Sequence, residues 1–185
     1  MKLQEIEHIL QNAIGTKLLK QLALHYNANP QNIGELYEFI QNGSIRQQRN
    51  ASHLIIQLLP KQKTIIEKKT KVILNKLAQT DDESVIRNCL RILGEVTIPE
   101  RNRMTTYDKC LALMAREDSP AAIKAFAMTV AFNITLAHVE LAGELNAIIN
   151  EKMTFERPSF VVRARKYLNY YQQHKNKFPF LNQTH

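Results

Sequence analysis

Apolar residues along this chain recur at intervals of three and four rather than two. In IIEKKTKVILNKL, Ile66, Ile73, Leu74 and Leu77 share one side and lysines take the other, the pattern of an amphipathic helix and not of an alternating strand. The same periodicity, interrupted by short polar turns, predicts about ten helices near residues 2 to 13, 16 to 27, 31 to 42, 44 to 59, 62 to 79, 83 to 96, 105 to 117, 120 to 135, 139 to 152 and 159 to 176. Turn chemistry marks their ends. QTDDES, REDSP and TFERPS separate helices, and the helices that follow open at SVIR, PAAIK and SFVVR with Ser or Pro near the first turn. Pro60, Pro99, Pro120 and Pro158 are expected between helices, where proline does least harm.

The helices fall into a repeat. Arg49, Arg87, Lys124 and Arg163 stand 38, 37 and 39 residues apart, and ten positions before them come Phe39, Leu77, Met114 and Met153, apolar each time. Two landmarks with one period predict stacked helix pairs, each unable to bury its apolar face alone. Five pairs result. Residues 1 to 29 read as an atypical N-terminal capping pair, 30 to 177 as the repeats and 178 to 185 as a tail, within a single domain over 1 to 185 with no linker-like boundary.

The recurrence of acid, turn, aliphatic, Arg or Lys, small residue and Leu over residues 30 to 175 resembles HEAT-like, armadillo-type repeats, and SPAAIKAFAMTVAFNI through SFVVRARKYLNYY resembles small bacterial HEAT-like proteins. The resemblance implies an all-α fold, a right-handed α-α superhelix or solenoid of antiparallel helix pairs. First helices would take the convex side and second helices the concave side. It also implies a ladder of acids and cations along the stack, with Arg49, Asp82, Arg87, Asp118 and Lys124 in structural roles and Asp82 with Arg87, and Asp118 with Lys124, as rungs. It implies no reaction.

The residues themselves agree on chemistry. In DDESVIRN the acids Asp81 and Asp82 precede a helix, where a carboxylate accepts from free backbone N–H groups and complements the dipole, and Ser84 offers an alternative cap. Contiguous acids on one wet turn lack the contrasting environments that acid and base catalysis requires. The five glycines are scattered, so no phosphate-binding loop or dinucleotide fingerprint exists, and the six histidines include no HExxH. Cys89 and Cys110 lack metal-ligand spacing and read as reduced core thiols. We expect no enzyme activity, cofactor, metal or small-molecule substrate. No apolar run approaches the ~20 residues that cross a bilayer, and MKLQEIEHIL is too charged for a secretory signal. A cytoplasmic protein without a membrane partner is therefore expected.

Charge adds a partner class. Residues 61 to 76 and 163 to 177 hold much of the formal net charge of +8, which admits acidic partners, including nucleic acid. If second helices line the concave side, the inward stripe reads Asn50, His53, Gln57, then Asn88, Arg91, Glu95, then Ala125, Met128, Phe132, then Ala164, Tyr167, Tyr171. It passes from polar to aromatic. The helix at 120 to 135 is apolar nearly all round, so burial under the C-terminal helix or tail competes with a partner groove anchored by Met128 and Phe132. The expected function is a protein-interaction module or scaffold, with contacts at His53, Arg91, Met128, Phe132, Arg163, Lys166, Tyr167 and Tyr171. The alternative is nucleic-acid binding by the basic concave face and C-terminal helix, where cations interleave with tyrosines. HEAT-like DNA glycosylases rely on groove aromatics, typically Trp, and a catalytic Asp; this chain has no Trp and its acids cluster at turns.

Overall fold

The computed structural model describes residues 1–182, and no strand occurs among them. These residues form ten α-helices: α1 (Leu3–Leu10), α2 (Thr16–Ala28), α3 (Ile33–Asn42), α4 (Ile45–Glu67), α5 (Thr70–Gln79), α6 (Glu83–Leu93), α7 (Glu100–Ala115), α8 (Ala121–Thr135), α9 (Ala142–Met153) and α10 (Pro158–Gln173). Single 3-10 turns lead into α3 and α9, and two more follow α10. The last three positions of the tail at 178 to 185 lie outside the described residues. The chain divides into two compact units, Met1–Ile98 and Pro99–His185.

In the first unit α3 packs on α4 and α5 on α6, and the two hairpins meet through α4 against α6 and α3 against α5. Second helices thus stack on second helices, first on first, as the period of nearly forty residues requires. Helices α1 and α2 both lie against α4. The amphipathic stripes close into one core, with Ile33, Leu36, Ile40, Leu54, Ile55, Leu58, Ile73, Val85, Cys89 and Leu93 removed from water.

The second unit pairs α7 with α8, lays α10 across α8 and α9, and folds the closing turn onto α9. Its centre is α8, where Ile123, Ala127, Met128, Val130, Ala131 and Ile134 are all buried. A helix apolar on every side is stable only when covered on every side. Helices α7, α9 and α10 supply most of that cover, leaving Ala122 and Asn133 exposed and Phe126 and Thr129 half-buried on the remaining face.

Local chemistry explains the helix starts. Ser44 accepts from the Gln47 N–H and the Gln47 side chain accepts from the Ser44 N–H, a capping box that opens α4. Asp82 caps α6, its Oδ1 accepting from Ser84 and Val85 N–H at 3.1 Å. Pro99 and Pro120 stand at the N-caps of α7 and α8, and Pro158 is the first residue of α10.

Pro60 departs from expectation. It lies inside α4, which continues to Glu67 through a kink where Gln62 adopts φ −123° and ψ 21°. A proline removes one ladder hydrogen bond and crowds the preceding turn. Tertiary contacts hold the extension anyway: Gln62 donates to Asn27, the Tyr37 hydroxyl donates to Ile66 O, and Ile66 is fully buried. The helix expected over 62 to 79 is consequently broken at Lys68 and Lys69, with α5 starting at Thr70. Among the described residues no helix is long and apolar enough to cross a membrane.

Candidate interaction surface

The cations that mark the repeat are answered differently in the two units. In the first, Arg49 on α4 forms a fork with Asp82 at the start of α6, its Nε lying 3.0 Å and 3.1 Å from the two carboxylate oxygens and its Nη2 completing the pair. The guanidinium hydrogen bond holds the Asp82 carboxyl below its ordinary range, with the Val85 and Ser84 N–H groups contributing. The expected pairing of Asp82 with Arg87 is thus corrected. A carboxylate at an N-cap points back toward the preceding pair, so the cation it meets is the one 33 residues earlier.

Arg87 is exposed and makes no ion pair among the described residues. One residue on, Asn88 is buried and donates to Arg49 O at 3.2 Å and to the Ser52 hydroxyl at 3.0 Å. Asn50 does the same one pair earlier, donating to Leu10 O and Asn12 O at 2.9 Å. These asparagines, expected on an open inward surface, instead stitch neighbouring helices together. The Asn88 stitch sets α6 beside α4, where His53 and Arg91 are half-buried. Burial, then the charges of Arg91 and Arg87, push the His53 imidazole below its usual value. Its Nε2 lies 3.4 Å from Gln57 Nε2.

In the second unit the ladder turns inward. Lys124 is buried; its Nζ lies 2.5 Å from Glu156 Oε1 and 3.4 Å from Glu117 O. Asp118 is held by Arg116, at 3.1 Å and 2.9 Å, which keeps its carboxyl low. That corrects the expected Asp118 with Lys124 rung, since Arg116 is two residues away and needs no helix packing to reach it. Arg163 donates through Nη1 to Ala125 O and to the Thr129 hydroxyl, both at 3.0 Å, and its guanidinium carbon sits 4.7 Å from the centre of the Phe126 ring.

The aromatic stretch of the stripe is consumed by the fold. Phe132 stacks on Tyr167 with centroids 4.1 Å apart and 12° between planes, and packs against Tyr170 and Tyr171. The Tyr167 hydroxyl donates to Thr129 at 2.9 Å, and the Tyr171 hydroxyl lies 2.7 Å from the Thr135 hydroxyl. Phe178 from the tail closes over Tyr171 at 4.9 Å. Met128 and Tyr171 are 0% exposed, Phe132 7% and Tyr167 6%. No partner side chain reaches them in this arrangement, so the groove anchored by Met128 and Phe132 gives way to the competing expectation of a covered α8.

Of the residues expected to meet a partner, Lys166 is exposed and His53, Arg91 and Arg163 are half-buried. Sequence reasoning missed Arg87, which it placed in the ladder. The signal was available in the spacing: acids stand 32 to 33 residues beyond Arg49 and Lys124, while Ser119 and Pro120 hold those places beyond Arg87.

Two cationic segments lie outside this stripe. Lys61, Lys63, Lys68, Lys69 and Lys71 are exposed around the kink and break after α4, where the single acid, Glu67, accepts from Thr97 N–H and its hydroxyl at 3.1 Å. Beyond Glu156 the chain has no acid. There Arg165, Lys166, Lys175 and Lys177 are exposed, beside Tyr170 stacked on His174 at 4.1 Å and a shallow cavity of about 330 Å³ lined by Gln172, Gln173, His174, Lys175, Asn176 and Lys177.

The described residues hold no group of three or more His, Cys, Asp or Glu able to bind a metal ion. Burial pushes both thiols, Cys89 and Cys110, up to about 12, far from the thiolate a nucleophile requires.

Comparison with known proteins supplies one finding. A family model described as HEAT repeat domain matches residues 6–169. No curated protein and no solved structure matches. With helix pairs stacked at a period of nearly forty residues and the match covering most of its length, the chain belongs to the HEAT repeat domain family and has the family's all-α solenoid class of fold.

Proposed function

We propose that this chain is a non-enzymatic protein-interaction module of the cytoplasm, meeting its partner through the shared face of α4 and α6. The observation that carries the reading is the contrast between His53 and Arg91, which are half-buried beside the exposed Arg87, and the residues at their places in the second unit, Met128 and Tyr167, which are core. An exposed and a half-buried arginine beside a half-buried histidine resemble the anchors of protein interfaces, where Arg is enriched and a few residues dominate the binding energy. High thiol pKa values and satisfied buried hydroxyls support a binding role over catalysis.

A second reading has its own support. The acid-free stretch after Glu156 presents Arg165, Lys166, Lys175 and Lys177 beside the Tyr170 and His174 rings, a combination suited to phosphate contact and base stacking. Affinity capture from a lysate of the source organism, with and without nuclease and at two salt concentrations, separates the readings. A protein retained by the wild type after nuclease and salt, and lost with the R87Q/R91Q double variant, supports the first. Retention of nuclease-sensitive material alone, lost with K166Q and falling steeply with salt, replaces it with the second.

A further inference from the structure

We infer that Arg87, with Arg91 one helical turn on and His53 from the neighbouring helix, forms a docking point for a carboxylate-bearing segment of a protein partner. The inference deepens the interaction-module reading and rests on it. Four cations hold equivalent places in the repeat, and three are answered within the chain. Asp82 meets Arg49, Glu156 meets Lys124, and Ala125 O, Thr129 and the Phe126 ring meet Arg163. Arg87 alone among the four is both exposed and without an ion pair among the described residues. What satisfies its siblings is a carboxylate in two cases of three. A carboxylate from another molecule is therefore the group its place in the repeat is shaped to meet.

The surroundings strengthen the attraction. The Asn88 hydrogen bonds to Arg49 O and Ser52 fix the register of α6 on α4, and both arginines lie near enough to His53 for their charges to disfavour its protonation. Positive potential from two guanidinium groups beside a half-buried ring raises the local concentration of an anion. The guanidinium fork matches carboxylate geometry in a two-bond arrangement that a lysine cannot reproduce.

Charge at the margins selects the kind of anion. Glu83 lies one turn before Arg87 and Glu95 one turn beyond Arg91, both exposed. A continuous phosphate tract running along α6 would meet both acids; a short acidic motif fits between them. Neither α4 nor α6 carries Phe, Tyr or Trp, so the face has no ring of those types on which bases would stack. An acidic peptide is thus favoured over a nucleic acid.

The test uses the full chain and fluorescence anisotropy with three labelled probes: a poly-glutamate peptide, a poly-glutamine peptide of the same length, and a single-stranded oligonucleotide. The expected result is binding of poly-glutamate but not poly-glutamine, weakened about tenfold by R87Q, the loss that follows from removing one charge-assisted contact. K71Q and K166Q, which remove exposed cations elsewhere, are expected to change it by less than about twofold. Unaltered thermal melting of R87Q establishes that the variant is folded. Equal weakening by R87Q, K71Q and K166Q overturns the inference in favour of diffuse attraction by net charge. Tighter binding of the oligonucleotide that falls with R87Q overturns it in favour of nucleic acid. A lysate partner retained equally by wild type, R87Q and the double variant overturns the inference; the module reading then stands, on another face. Poly-glutamate binding that depends on Arg87, with no protein retained from lysate, supports the docking point and removes the module reading.

Discussion

The paired faces of α4 with α6 and of α8 with α10 occupy the same register of the repeat and have opposite fates. In the first, the residue after each ladder cation is asparagine, Asn50 or Asn88, whose amide reaches back to the preceding helices. The following turns present His53 and Arg91 to solvent. In the second, the same residue is alanine, Ala125 or Ala164, and the following turns hold Met128, Phe132, Tyr167 and Tyr171, all buried. Amide stitching leaves a wet face beside it, because the connection is made by specific hydrogen bonds at one level. Aromatic packing makes its connection by excluding water along the whole face. One register of the repeat thus stays open to solvent in one unit and is packed shut in the other.

The largest test of this contrast is Phe132→Ala, expected to cost ~3 to 5 kcal/mol as a core aromatic truncation. His53→Ala, one turn earlier on the same stripe in the first unit, is expected to cost at most about 1 kcal/mol. Urea denaturation measures both, and similar losses would break the comparison. Next comes Glu156→Gln, which leaves Lys124 buried without its counter-charge and is expected to cost about 3 kcal/mol. The double variant K124M/E156L should recover most of that loss, because paired apolar groups avoid the desolvation of two ions.

Asn88→Ala is expected to cost roughly 1 to 2 kcal/mol, since its amide makes two hydrogen bonds between helices. Thermal or urea unfolding decides whether the stitch stabilises at all. A cost below about 0.5 kcal/mol, the range of inert surface changes, would reduce the asparagines to passengers.

Asp82→Asn is smaller still, about 1 kcal/mol at neutral pH, because asparagine still caps a helix while the ion pair with Arg49 is half in solvent. The Asp82 carboxyl titrates lower in the folded protein than in the unfolded chain. Its contribution is therefore full above the unfolded carboxylate value of ~3.9 and is lost as pH falls through the folded value. Wild type and D82N should differ near neutrality and converge in strong acid. A difference that persisted in acid would show that the carboxylate charge is not its source. The smallest stability effect is expected for Arg87→Gln, within about 0.5 kcal/mol, despite the large effect anticipated on binding.

Much of the architecture was legible before any coordinates. The spacing of Arg49, Arg87, Lys124 and Arg163 revealed the repeat, and the apolar period placed the helices, because both depend on residues within a few turns of each other. The Asp82 cap was legible for the same reason. The break expected at Pro60 is a kink at Gln62 rather than a gap between helices, since proline opposes a helix locally while the burial of Ile66 and the hydrogen bond from Gln62 to Asn27 hold the turns that follow. The candidate site was half legible. His53 and Arg91 were identified as surface contacts, but Met128 and Phe132 looked equally eligible. Nothing within α8 distinguishes an exposed apolar stripe from one covered by α10.

Local rules thus determine from the sequence alone that this chain forms stacked helix pairs: side-chain periodicity, capping chemistry and a cation at each repeat act over short distances and are written in contiguous residues. Which cation finds a carboxylate, and which stripe stays wet, is decided only when segments some 32 to 39 residues apart come together. Arg49 and Lys124 gain carboxylates there and Arg87 gains none among the described residues, because Coulomb attraction and burial depend on separation in space, which the repeat period alone does not specify.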